Sequence, residues 1–166
     1  SRELAQIQGK AENFGDLVAS DTCSMPASMP FGFVGWVVFL DWATRWLALY
    51  YIFDHSGAEI RRCMRQYLAD NAVYLPKNSK GVPHCKKWFT DNHGEFFSND
   101  TDAFCKELET RHSSIVEYNP QQNPSERAHG TIIRCIKAVH AHTDAPIPLW
   151  PFTASACVMI HNNLLS

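Results

Sequence analysis

The ten-residue run FGFVGWVVFL, residues 31–40, constrains the fold of this chain more than any other feature. Its side chains are β-branched, aromatic, Leu or Gly throughout, with no polar residue interleaved. A strand buried on one face reads as alternation, whereas a continuous apolar run reads as a strand covered on both. The run is far shorter than the roughly 20 apolar residues a spanning helix needs, so a buried central strand is expected and a membrane partner is not. DWAT (41–44) then supplies a turn that the Asp41 side chain can fix. RWLALYYIF (45–53) returns as a further strand, so these two strands form a hairpin, and a sheet buried on both sides requires helices on both faces.

The remaining segments fill in that plan. NFGDLVASDTC (13–23) alternates enough to be the first strand, with Leu17, Ala19 and Asp21 on one face. SGAE (56–59) is a capping box opening a helix over about 58–74, which the loop LPKNSKGVPH ends. CKKWFT (85–90) is a short fourth strand. A second helix follows a cap near Asn99, with Phe104 and Leu108 stacked one turn apart. SSIVEY (113–118) is a fifth strand. A third helix starts at Pro124 with an apolar stripe of Ala128, Ile132, Cys135 and Val139, and PLWPFTASACVMIHNNLLS forms the last helix. The expectation is a single α/β domain over residues 13–166, a mixed five-stranded sheet with helices on both faces, preceded by a flanking segment 1–12. With no initiator Met and no signal peptide, the chain is expected to be cut from a longer polypeptide.

Composition excludes several site chemistries. The six cysteines are 20 to 40 residues apart, with no CxxC pair, which points to reduced thiols in an intracellular protein. HAH (140–142) is the only close histidine pair and has no partner motif for zinc. A net charge of −2 weighs against a strong stand-alone nucleic-acid binder, since phosphate contacts are mostly Lys and Arg.

What remains is carboxylate chemistry. Asp21 lies in the first strand, Asp91 just past the fourth, and Glu126 in the first turn of the third helix. If strands one and four are neighbours, the two aspartates reach adjacent strand positions, and a helix N-terminus can bring Glu126 over the same edge. Oxygen ligands without His or Cys suit Mg2+ or Mn2+. Two such ions, roughly 4 Å apart, serve phosphoryl transfer. Spacing alone decides little: Asp91 and Glu126 are 35 residues apart, but so are Glu109 and Asp144. The surrounding words say more. FTDNHGEF (89–96) follows a strand end with a Gly-containing polar loop, and YNPQQNPSER (118–127) offers amide side chains and a helix mouth where backbone N–H groups can meet phosphate.

DLVASDTCSMP, WFTDNHGEF and YNPQQNPSERAHGTI, in that order, resemble the catalytic core of retroviral and long-terminal-repeat retrotransposon integrases, the copia-like branch in particular. The hairpin VVFLDWATRWLALYYI and the closing LWPFTASACVMIHN are similar too, so the likeness covers residues 13 to 165. It implies a ribonuclease H-like fold and an Asp, Asp-35-Glu triad of Asp21, Asp91 and Glu126. Asp21 would bridge two metal ions, with Asp91 and Glu126 each holding one. It further implies a polynucleotidyl transferase that processes 3′ ends of element DNA and transfers them to target DNA. Homo-oligomers, other domains of a polyprotein and nuclear action at the integration step follow from the same likeness. The chain departs from the family at Met25-Pro26, where Gly-Pro is usual, and at Asn123-Pro124, where Asn-Gly is usual; no upstream zinc-binding HHCC module is present in it.

Each residue also has a plainer reading. Glu126 falls three residues after Asn123, where a carboxylate can cap the helix and offset its dipole by about 0.3–1 kcal/mol. Asn119, Gln121, Gln122 and Asn123 are loop polars at the expected DNA surface. Arg127, Arg134 and Lys137 share one helix face, available either to solvent or to phosphates. Gly130 costs that helix roughly 1 kcal/mol relative to Ala, as expected if backbone or DNA comes close there. The alternative to an active transferase is a catalytically inactive integrase-derived module that binds DNA or assembles.

Overall fold

A computed structural model describes residues 11–90, 98–114 and 124–164. In chain order the elements are β1 (Val18–Ser24), β2 (Gly35–Asp41), β3 (Leu47–Ile52), α1 (Gly57–Asp70), β4 (Lys87–Thr90), α2 (Asn99–Glu107), β5 (Arg111–Ser114), α3 (Pro124–Thr143) and α4 (Trp150–Asn163), the last entered through a 3-10 turn, Ile147–Leu149. The sheet order is β3-β2-β1-β4-β5. The β1–β2 and β2–β3 pairs are antiparallel, while β4 joins β1, and β5 joins β4, in parallel. This is the expected mixed five-stranded sheet.

The apolar run is continuous because β2 is covered on both faces. Val37 and Phe39 pack with β1 Val18, with Trp88 of β4, and with Ile60, Cys63, Met64 and Tyr67 of α1. Trp36, Val38 and Leu40 turn the other way, onto Ile132 and Ile136 of α3 and onto Trp150, Ala154 and Cys157 of α4. Strand alternation therefore assigns successive residues of one strand to two separate cores. Apolar burial of this kind is worth about 25 cal/mol per Å2, and it dominates the stability of both layers.

Local chemistry sets the element ends. Ser56 caps α1, its hydroxyl accepting from the Glu59 N–H at 3.2 Å. The expected capping box is only half formed, because Glu59 turns to Arg62 and to the Phe53 N–H instead. Asn71 ends α1 at Asp70, earlier than expected, and residues 71–74 are turn. Segment 13–17 is likewise not strand. Asp16 accepts from the N–H groups of Glu12 and Asn13, and Gly15 adopts φ +82, which together make a turn before β1. β2 begins at Gly35, where a Cβ would lie 2.1 Å from the Cys23 carbonyl oxygen, so β1 and β2 approach at a distance only glycine allows. Asp41 does fix the hairpin: its Oδ1 accepts from the Thr44 N–H and hydroxyl, and its Oδ2 from the Gly15 N–H, each at 2.8 Å.

The stripe expected on α3 needs correction. Ile132 is buried, but Val139 is exposed and Cys135 only half-buried. The face turned to the sheet is Ser125, His129, Ile132, Ile136 and His140. Three of these five are polar, and hydrophobic periodicity cannot register them. His140 earns its burial by bonding the Ala145 carbonyl and the Thr153 hydroxyl, which ties the end of α3 to α4. On the opposite edge, Asn162 of α4 both accepts from and donates to the Leu47 backbone, covering the start of edge strand β3.

Candidate functional site

β1 pairs with β4 as far as Ser20 beside Thr90, both fully buried. Asp21 is the next residue of β1, and Asp91 the next in sequence after β4. Asp91 lies outside the described residues, as do Asn119, Gln121, Gln122 and Asn123. Ser20 and Asp21 point to opposite faces. The Ser20 hydroxyl accepts from the Trp88 indole on the α1 side, whereas Asp21, opposite Val38, faces α3.

Asp21 is half-buried. Its Oδ1 accepts from the Thr22 N–H at 2.8 Å, and its Oδ2 lies 3.3 Å from Nε2 of His129. No Lys or Arg pairs with it among the described residues. The carboxylate also acts on its neighbour two residues along: burial first, and then the Asp21 charge, push the Cys23 thiol up to about 11. That thiol stays protonated at neutral pH.

The contact with His129 locates α3. His129 is one turn beyond Glu126, so the first turn of the helix lies against the strand that carries Asp21. The Glu126 side chain is exposed and makes no hydrogen bond or ion pair within the described residues. Whether it caps Asn123 falls outside them. Arg127, Arg134 and Lys137 are all exposed, and Arg127 lines a cavity together with Leu40 and Leu47 of the sheet. Among the described residues, a Cβ at Gly130 would meet only the Arg134 guanidinium, at 3.6 Å, and none of them demands glycine there.

This donor chemistry fits a hard divalent cation. The half-buried carboxylate keeps lone pairs free on both oxygens, and among the described residues no Lys or Arg stands beside it. Among the described residues no three His, Cys, Asp or Glu side chains are gathered closely enough to hold an ion. No helix among them is long and apolar enough to cross a membrane. His129 is the functional candidate that sequence reading missed. A lone histidine within a helix carries no motif, and only its contact with Asp21 reveals it.

No family model matches the chain. The retrovirus-related Pol polyprotein from transposon TNT 1-94 of Nicotiana tabacum is 27% identical over 154 residues, which is 91% of this chain and 11% of that polyprotein. Among solved structures, a chain of the simian T-cell lymphotropic virus intasome in complex with PP2A regulatory subunit B56 gamma superposes with TM-score 0.67 and 15% identity, over 89% of this chain and 48% of that one. The HTLV-2 integrase catalytic core domain in complex with magnesium, in its dimeric form, gives TM-score 0.63 and 14% identity over 90% and 87%. The BIV integrase catalytic core gives 0.59 and 17% over 87% and 82%. The chain thus spans about a tenth of the curated relative it matches and about half of the intasome chain. The structural neighbours show a ribonuclease H-like architecture, and the chain is similar both to integrase catalytic cores in fold and to a retrotransposon Pol polyprotein in sequence.

Proposed function

We propose that the chain is the catalytic core of a metal-dependent polynucleotidyl transferase, encoded in a retrotransposon polyprotein, that acts in DNA integration. The observation that carries this reading is the 3.3 Å approach of His129 to Asp21, because it sets the helix turn bearing Glu126 against the strand bearing Asp21. The β1–β4 register adds to it, since Asp91 follows directly on the residue paired with Ser20.

Asp21, Asp91 and Glu126 would hold two Mg2+ or Mn2+ ions. Bound there, the ions would activate the attacking oxygen and stabilise the leaving one. The carboxylates fix the ions, and the exposed Arg127, Arg134 and Lys137 meet backbone phosphates. Asn119, Gln121, Gln122 and Asn123 contact the DNA beside the site. In 3′-end processing the attacking group is water; in strand transfer it is the new 3′-hydroxyl. DNA, a second copy of the core and the remaining polyprotein domains are the partners in this scheme, and the nucleus is where it acts.

A branched, disintegration-type DNA substrate with Mn2+ tests the proposal. Strand rejoining by the parent, lost in Asp91→Asn and Glu126→Gln, is the expected result. Equal rejoining by those variants would show that the site is elsewhere. A folded, metal-binding parent that rejoins nothing would favour the inactive DNA-binding or assembly module.

A further inference from the structure

The geometry points to His129 as a positioning residue for Asp21, oriented in turn by the indole of Trp36, in a relay that runs from the core between the sheet and α3–α4 to the strand end. This inference rests on the functional reading above. Trp36 is fully buried in β2, and its indole N–H donates to Nδ1 of His129 at 2.9 Å. Indole nitrogen only donates, so Nδ1 must accept, and the ring proton is held on Nε2. Nε2 is buried and finds no hydrogen-bond partner among the described residues, yet it stands 3.3 Å from Asp21 Oδ2. A buried N–H without a full acceptor is costly to maintain, and here it is aimed at a single carboxylate oxygen.

Two features make this an orienting device and not only packing. Oδ1 of Asp21 is tied to the Thr22 N–H, so the carboxylate is addressed at both oxygens and its rotation is restricted. Each oxygen accepts two partners, so both keep a lone pair for an ion. The relay also crosses from β2 to α3: Trp36 packs against His129 and Trp150, with ring centroids 6.2 and 5.2 Å apart. The orientation of the carboxylate is therefore referred to the buried core that holds Trp36 and Trp150. Groups that orient a metal ligand in this way typically alter metal affinity about 10–100-fold when removed.

The test uses the full chain, with Mn2+ binding followed by calorimetry and the Trp36 indole N–H resonance followed during a Mg2+ titration. That resonance is identified by its loss in Trp36→Phe. His129→Leu should weaken Mn2+ binding about 10–100-fold. His129→Gln, which keeps an N–H donor of similar reach, should return most of that affinity. The Trp36 resonance should move with Mg2+ in the parent and stay still in Asp21→Asn. A folded His129→Leu that binds Mn2+ like the parent overturns the positioning role while leaving the metal site standing. So does an indole resonance that ignores bound Mg2+. This second measurement decides the matter if His129→Leu does not fold. An Asp21→Asn variant that binds as the parent does, or a parent that binds neither ion, overturns the site reading and the relay with it.

Discussion

Asp41 is fully buried, and its carboxylate accepts three hydrogen bonds at 2.8 Å with no cation beside it among the described residues. Two of these bonds close the β2–β3 turn at Thr44. The third crosses to the Gly15 N–H and anchors the segment that leads into β1, the strand carrying Asp21. Asp41→Asn keeps the shape but replaces one oxygen with an N–H2 group. The amide can still accept at Thr44, but it then sets a donor against the Gly15 N–H, a bond classed among the buried ones. Losing a hydrogen bond to a charged acceptor, and leaving its buried donor unpaired, costs about 2–3 kcal/mol. For a domain of this size that lowers the melting temperature by roughly 5–10 °C. Asp41→Ala removes all three acceptors and should cost on the order of 4 kcal/mol. Urea titrations monitored by circular dichroism, with thermal melts beside them, measure both. If Asp41→Asn melts within about 1 °C of the parent at an unchanged urea slope, the carboxylate is not what holds this corner, and the reasoning fails.

Gly35→Ala would put a Cβ 2.1 Å from the Cys23 carbonyl; β1 and β2 must then separate, and a loss of about 2–4 kcal/mol with weakened Mn2+ binding is expected from melts and calorimetry. Gly130→Ala meets only a flexible guanidinium, so it should stabilise α3 by about 0.5–1 kcal/mol; the same variant losing DNA affinity in a filter-binding assay would indicate that DNA, not protein, requires the glycine. Burial first, then the Asp21 charge, raises Cys23 to about 11; burial and the neighbouring Cys135 thiol raise Cys157 to about 11; and burial with the Asp102 charge raises Cys105 to about 12. Because the folded state holds these protons more tightly than the unfolded chain, whose thiols sit near 9.0, their contribution is complete below about pH 9 and is lost as pH rises to 11–12. Thermal stability should therefore fall across that alkaline window, and native Cys23 should be alkylated at pH 8 far more slowly than in urea, as read by mass spectrometry.

Much of the architecture was legible before any coordinates, and for identifiable reasons. The unbroken apolar run could be stable only as a strand covered on both faces. Asp41 announced its turn because an aspartate before Thr44 has a local backbone N–H to bind, and Ser56 announced α1 in the same way. Local hydrogen bonding is written within three or four residues, where sequence is read directly. Failures came where a longer-range partner intervened. Segment 13–17 alternates as a strand would, but Gly15 donates to the Asp41 carboxylate and accepts from the Lys86 N–H, which hold the segment as a turn. Val139 fitted the apolar period of α3, but the helix turns His129 and His140 inward instead, since each finds a partner on another element.

The same division holds for the candidate site. The sequence by itself determined which carboxylates and which basic residues were available, and that β1 carries Asp21 on the face shared with Ala19. It could not determine that α3 lies against that face, because docking the helix depends on a core closing around Trp36, Ile132 and Trp150, which are far apart in sequence. Nor did it single out His129, whose meaning comes from an indole 93 residues away and a carboxylate on another strand. A histidine's role is set by what each ring nitrogen meets, and only the tertiary structure brings those partners within reach.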